Sequence, residues 1–128
     1  MRYLGIDFGL KHIGLAVNFG SLAEPLNQFS YQTISQALEK IEKICSQEAI
    51  EQLVVGISEN KMAEKTKEFG EALAKTINLP IIFQDETLTS KEAENKLIDS
   101  RISRKKRAAK GHQAAAALIL QNFLDSQY

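Results

Sequence analysis

The chain has 128 residues, the length of one domain, and can bury a sizeable core without disulfide or metal staples. With 44% hydrophobic and 25% charged residues and no apolar run near the roughly 18 residues that cross a bilayer, its composition is that of a globular protein and excludes a helical membrane protein. Its 16 basic residues balance 16 acidic ones, which argues against a general polyanion binder; yet Arg101, Arg104, Lys105, Lys106, Arg107 and Lys110 fall together in residues 100–110 with no acid among them, so the neutral total hides a dipolar layout.

The first apolar runs, Tyr3, Leu4 and Ile6 and then Ile13, Leu15, Ala16 and Val17, predict two short buried strands over about 2–8 and 13–18, joined by a hairpin at Gly9, Leu10, Lys11 and His12. The start of the chain enters strand-like sequence at once and leaves no room for a signal peptide, so a cytoplasmic protein is expected. A polar loop containing Pro25 is expected next, then a half-exposed strand over LNQFSYQTI. Thr33 and Gln36 form a capping box before a first helix with Leu38, Ile41, Ile44 and Cys45 inward. Cys45, the one cysteine, reads as a buried thiol rather than a nucleophile.

The short β-branched run QLVVGIS, residues 52–58, predicts a strand covered on both faces, as in a parallel sheet. A second helix over about 62–77 would turn Met62, Phe69, Leu73 and Ile77 inward and stop at Asn78 and Pro80 before the strand PIIFQ. Thr89 and Glu92 make another capping box, opening a helix with Ala93, Leu97 and Ile98 inward. The basic segment follows, and then a last alanine-rich helix beginning near Gly111, whose small face must approach the sheet closely. The order βββαβαβα implies an α/β fold, a mixed sheet with helices packed on it.

A carboxylate at the end of a central strand is costly unless paired, hydrogen-bonded or bound to a cation, which makes Asp7 a site candidate. Asp85 and Glu86 follow PIIFQ at the carboxyl end of a predicted parallel strand, where open α/β sheets place their ligands, and Glu59 ends the preceding strand in the same way. Carboxylates gathered at one edge call for a hard divalent cation, Mg²⁺ or Mn²⁺.

The patterns GIDFGLKHIGLAV, VVGIS, PIIFQDETLTSKEA and KGHQAAAALILQNFL, in that order over nearly the whole chain, resemble the YqgF family of Holliday junction resolvases and pre-16S rRNA nucleases. The resemblance implies an RNase H-like fold in one domain, residues 1–128, and metal-dependent endonucleolytic hydrolysis of phosphodiester bonds in structured nucleic acid, either precursor rRNA or branched DNA. GIDFG by itself also resembles the phosphate-binding hairpin of sugar kinases and actin-like ATPases; DETLTSKEA makes the YqgF reading the specific one, and the chain lacks a second lobe to close over a nucleotide. Residue by residue, Asp7 matches the family's acid on the first strand and Glu86 the acid of its D-E-R-L-T-S motif. Its third acid, which normally opens the last helix, is His112 here; the usual arginine of the first turn is His12, the one after Asp-Glu is Thr87, and the usual G-L-P after the fourth strand is GISEN, which introduces Glu59.

The resemblance therefore implies a metal site of Asp7, Glu86 and His112, with histidine shifting preference from Mg²⁺ toward Mn²⁺, or else His112 acting as general base. Either role implies lost activity at acidic pH. Asp85 stays open between ligand, support of a ligand and structural partner; Glu59 reads as a solvated turn residue and His12 as a turn residue. Lys11 and the basic residues of 101–110 would follow a phosphate backbone, with no aromatic residue in the basic segment for base stacking. The alternative reading is a nucleic-acid or ribosome-assembly binding module that kept the fold after losing its third acid.

Overall fold

A computed structural model describes residues 1–57, 63–85 and 111–127. Five strands, β1 (Tyr3–Phe8), β2 (His12–Phe19), β3 (Leu22–Ser30), β4 (Gln52–Ile57) and β5 (Ile81–Asp85), form a mixed sheet in the order β3-β2-β1-β4-β5. The helices are α1 (Ile34–Gln47), α2 (Ala63–Ile77) and α3 (Gly111–Gln127), which gives the expected order among the described residues. β1 is central. It runs antiparallel to β2 and parallel to β4, and β4 runs parallel to β5, so β1, β4 and β5 all end at the same edge.

Strand alternation divides the core in two. Leu4, Ile6, Ile13, Leu15, Leu53 and Val55 face Ile41 and Cys45 of α1 and Phe69 and Leu73 of α2. On the other face Tyr3, Ala16 and Val54 meet Ala116, Ala117, Leu120 and Phe123 of α3. Leucine and isoleucine side chains at 0% exposure, Leu4, Ile6, Ile13, Leu15, Ile41, Leu53, Leu73 and Leu120 among them, each contribute about 1.5–3 kcal/mol of burial, so the sheet is held from both sides. β1 and β4 are buried through most of their length, as the apolar runs demand.

The helix signals act locally. Thr33 Oγ1 accepts the Gln36 N–H at 3.3 Å; the reciprocal bond from Gln36 Oε1 reaches back one residue further than expected, to the Gln32 N–H at 3.0 Å. Asn78 adopts a left-handed φ of 59° and donates its N–H to Ala74, which ends α2. Cys45 is buried, and burial together with the charge of Glu42 pushes its thiol up to about 11.

One strand departs from expectation. β3 spans Leu22–Ser30 rather than beginning at Leu26, and Pro25 lies within it. As an edge strand β3 tolerates a residue with no N–H, and the register slips there: Leu15 faces Asn27 and Ala16 faces Pro25, leaving Leu26 as the extra residue of a bulge. The bulge breaks the alternation that a sequence pattern relies on. Met62 and the expected helix with Ala93, Leu97 and Ile98 lie outside the described residues. No helix among the described residues is long and apolar enough to cross a membrane.

Candidate active site

Asp7 is the penultimate residue of β1 and stands opposite Gly14 of β2. Alternation turns it, with Tyr3 and Gly5, toward α3, while Phe8 turns to the α1 and α2 side. α3 begins directly above it. His112, in the first turn of α3, brings Nδ1 to 3.0 Å from Asp7 Oδ2. The Asp7 side chain retains 17% exposure and that of His112 38%, so the carboxylate lies at the floor of the site and the imidazole at its rim.

Glycine makes this approach feasible. A β-carbon on Gly14 would fall on the His112 carbonyl and 2.5 Å from the Gln113 nitrogen, so any side chain there would push the start of α3 off the sheet. Further along α3, a β-carbon on Gly5 would lie 2.7 Å from Leu120 Cβ and 2.9 Å from the Ala116 carbonyl. Glycine at these two positions lets helix backbone rest on strand backbone. Gln28 of β3 adds a polar tether by accepting the Gln113 N–H at 3.3 Å. At the other end of α3, buried Gln121 accepts the Ala23 N–H at 2.9 Å and donates to the Ser21 carbonyl at 2.9 Å.

His12 is not simply a turn residue. It opens β2 on the α3 side, its ring centroid 5.5 Å from that of His112, and its carbonyl accepts the Gly9 N–H at 2.9 Å to close the hairpin. Lys11 is exposed in the same turn, its carbonyl accepting the Tyr31 N–H at 3.1 Å. Tyr31 in turn donates its hydroxyl to the Gly9 carbonyl at 2.6 Å, fixing the turn from below.

Asp85 is the last residue of β5, opposite Ile57 of β4. Its alternation matches Ile81 and Phe83, which pack toward α1 and α2, whereas Ile82 packs toward α3. β5 therefore directs Asp85 to the face opposite Asp7, with β4 between them. Glu59, Glu86, Arg101, Arg104, Lys105, Lys106, Arg107 and Lys110 lie outside the described residues.

The sequence pointed to Asp7 and His112 through their motifs, but not to Gly14, Gln28 or Tyr31. For Gly14 a signal existed: a glycine inside an otherwise apolar strand marks a close backbone approach. Gln28 and Tyr31 act through contacts that only the folded hairpin creates.

The family model for RuvX, described as Holliday junction resolvase, matches residues 1–126. The chain belongs to this family, also called YqgF. A relative from Agathobacter rectalis named "Putative pre-16S rRNA nuclease" is 35% identical over 98% of this chain and 95% of its own. One of the same name from Pelotomaculum thermopropionicum is 37% identical over 99% of this chain and 88% of its own. Among solved structures, T. thermophilus RuvC in complex with Holliday junction substrate superposes with a TM-score of 0.62 at 16% identity, covering 99% of this chain and 95% of that one. The fowlpox virus Holliday junction resolvase gives 0.64 at 12% identity, with 100% of both chains covered. At these identities the superpositions establish the shared RNase H-like fold.

Proposed function

We propose that this RuvX-family chain is a one-domain, cytoplasmic, metal-dependent endonuclease that hydrolyses phosphodiester bonds in structured nucleic acid, in 5′-end processing of precursor 16S rRNA or at Holliday junctions. The convergence of Asp7 and His112 at the end of the central strand carries this reading, because it joins residues 105 apart in sequence at the edge where parallel strands present ligands. The names of the relatives and the resolvase-like fold support it.

The donor set is compatible with a divalent cation. Two octahedral ligands at right angles with bonds of about 2.1 Å stand about 3.0 Å apart, and Asp7 Oδ2 and His112 Nδ1 are 3.0 Å apart. No group of three or more His, Cys, Asp or Glu able to hold a metal occurs among the described residues. The proposed third ligand is Glu86, which immediately follows Asp85 and so comes next after β5. A mixed carboxylate and imidazole set favours Mn²⁺ over Mg²⁺. Such a cation would neutralise charge on the scissile phosphate and activate the attacking water.

The protein's own part is to orient. Asp7 holds the His112 ring in one direction. In the alternative role, with the cation held by the carboxylates and Nδ1 donating to Asp7, Nε2 keeps its lone pair for a proton from water, and Nδ1 is then not a metal ligand. Water attacks phosphorus in line with the leaving oxygen, one P–O bond forming as the other breaks. Lys11 and the cationic residues of 101–110 would grip flanking phosphates, giving an affinity that falls steeply with salt.

The test is cleavage of four-way DNA junctions and of precursor 16S rRNA by purified protein with Mn²⁺ or Mg²⁺. Metal-dependent cleavage that disappears in Asp7→Asn while binding persists supports the nuclease. Binding with no cleavage in either metal, unchanged by Asp7→Asn, would establish a binding module instead.

A further inference from the structure

On the other side of the hairpin from Asp7, a hollow of about 450 Å³ is lined by Phe8, Leu10, Tyr31, Ile34, Phe69 and Lys65, with Gln32 and Glu68 also on its wall. Its aromatic members form a stack: Phe8 lies against Phe69 at 4.3 Å and 14°, and against Tyr31 at 6.2 Å and 24°. Leu10 is 60% exposed and Ile34 41%, so apolar side chains stand open to solvent around an aromatic wall. Exposed apolar residues gathered about a hollow mark a contact surface.

The hollow is joined to the catalytic edge. A more open cleft of about 720 Å³, lined by Lys11, His12, Ser30 and Gln36, shares Leu10, Tyr31 and Gln32 with it. The cleft thus runs round the hairpin from His12, whose ring is 5.5 Å from that of His112, to the aromatic wall. Phe8 itself is the residue next to Asp7 in β1. Lys11 stands in the cleft and Lys65, with Glu68 also on that wall, at the hollow, and these two cations along the path suit a phosphate backbone better than an apolar peptide.

We infer that this hollow receives an unpaired nucleobase of the substrate strand, flanking the phosphate bound at Asp7 and His112. The inference rests on the nucleic-acid reading of that site. Apolar and aromatic walls accept any base by its π-face, whereas Lys11 and Lys65 meet the phosphates on either side. The hollow therefore favours strand ends, flaps or junction branch points, where a base can leave its stack, over uninterrupted duplex.

The experiment uses Asp7→Asn protein, chosen to keep the probe uncut, and two probes, a four-way DNA junction and an RNA duplex with a single-stranded 5′ extension. Each carries 2-aminopurine, then an abasic residue, stepped through the strand. A fluorescence change confined to one position of the strand, with about tenfold weaker binding when that position is abasic, is expected for at least one probe. Adding Leu10→Ala and Ile34→Ala, both solvent-exposed and dispensable for the core, removes the response and the abasic penalty. A response that survives these substitutions, or no position-specific response in either probe, overturns the inference. Cleavage by the Asp7-containing protein is read separately: no base response in the Asp7→Asn protein while the Asp7-containing protein cuts refutes the hollow alone, and a base response without cleavage refutes the nuclease alone.

Discussion

The carbonyl of His112 occupies the place where a β-carbon on Gly14 would stand. The position of the imaginary side chain on β2 and the position of a site residue on α3 are thus mutually exclusive. Gly14→Ala must lift the start of α3, and with it the imidazole that meets Asp7. We expect a loss of about 1–3 kcal/mol in stability from the forced backbone shift. Cleavage should fall by about a hundredfold, because a displacement near 1 Å at a reacting centre costs that much. Urea unfolding and single-turnover cleavage on the same preparation measure the two effects.

His112 stands where the family resemblance leads one to expect an acid. His112→Asp should raise cleavage supported by Mg²⁺ relative to that supported by Mn²⁺, since oxygen ligands suit Mg²⁺ better than imidazole does. His112→Ala should lower cleavage with both metals. The ratio of Mn²⁺ to Mg²⁺ activity is the informative quantity; an unchanged ratio in His112→Asp would remove His112 from the metal site.

Asn18 is a buried polar residue that holds the start of the chain. Its side-chain oxygen accepts the Tyr3 N–H at 2.8 Å, and its amide donates to the Met1 and Gly20 carbonyls at 3.0 and 2.9 Å. Asn18→Ala leaves the buried Tyr3 N–H without that partner and should cost about 2 kcal/mol. It lies at the opposite end of β2 from His12, so the protein that remains folded should cut normally. Thermal melts and cleavage rates at a temperature below both transitions check this.

The Cys45 thiol is pushed up from 9.0 to about 11, chiefly by burial and then by the charge of Glu42. Folding therefore favours the neutral thiol. Its stabilising contribution is complete below pH 9 and is lost as pH rises toward 11, when the unfolded chain releases a proton that the folded one retains. The contribution at stake is on the order of 2 kcal/mol. Denaturation of wild type and Cys45→Ala between pH 8 and 11 should show a steeper decline in the wild type, and the native thiol should resist alkylation that the unfolded thiol accepts.

Much of this architecture was legible because it is written in local patterns. The apolar runs of β1, β2 and β4, the Thr33 cap and the stop at Asn78 each report on neighbours a few residues away. β3 was offset because Pro25 and the bulge at Leu26 interrupt its alternation, and only pairing with β2 shows that the strand continues. Asp85 shows a finer limit: the strand was clear, yet its face depends on parity, and one residue of register separates the Asp7 side from the opposite side. Asp7 announced itself as a charge among apolar residues. Gly14 showed only as a glycine in an apolar strand and Gln28 not at all, since their importance arises from a helix that begins at Gly111.

We expect Asp7 and His112 to hold a catalytic divalent cation jointly. The decisive measurement is Mn²⁺ titration followed by calorimetry, with cleavage of a four-way junction and of precursor 16S rRNA in the same samples. Wild-type protein should bind Mn²⁺ and cut at least one substrate, Asp7→Asn should abolish both, and His112→Ala should weaken both by about tenfold or more. Cleavage that continues undiminished in Asp7→Asn, or Mn²⁺ binding indifferent to both substitutions, would show that the two residues hold no catalytic cation.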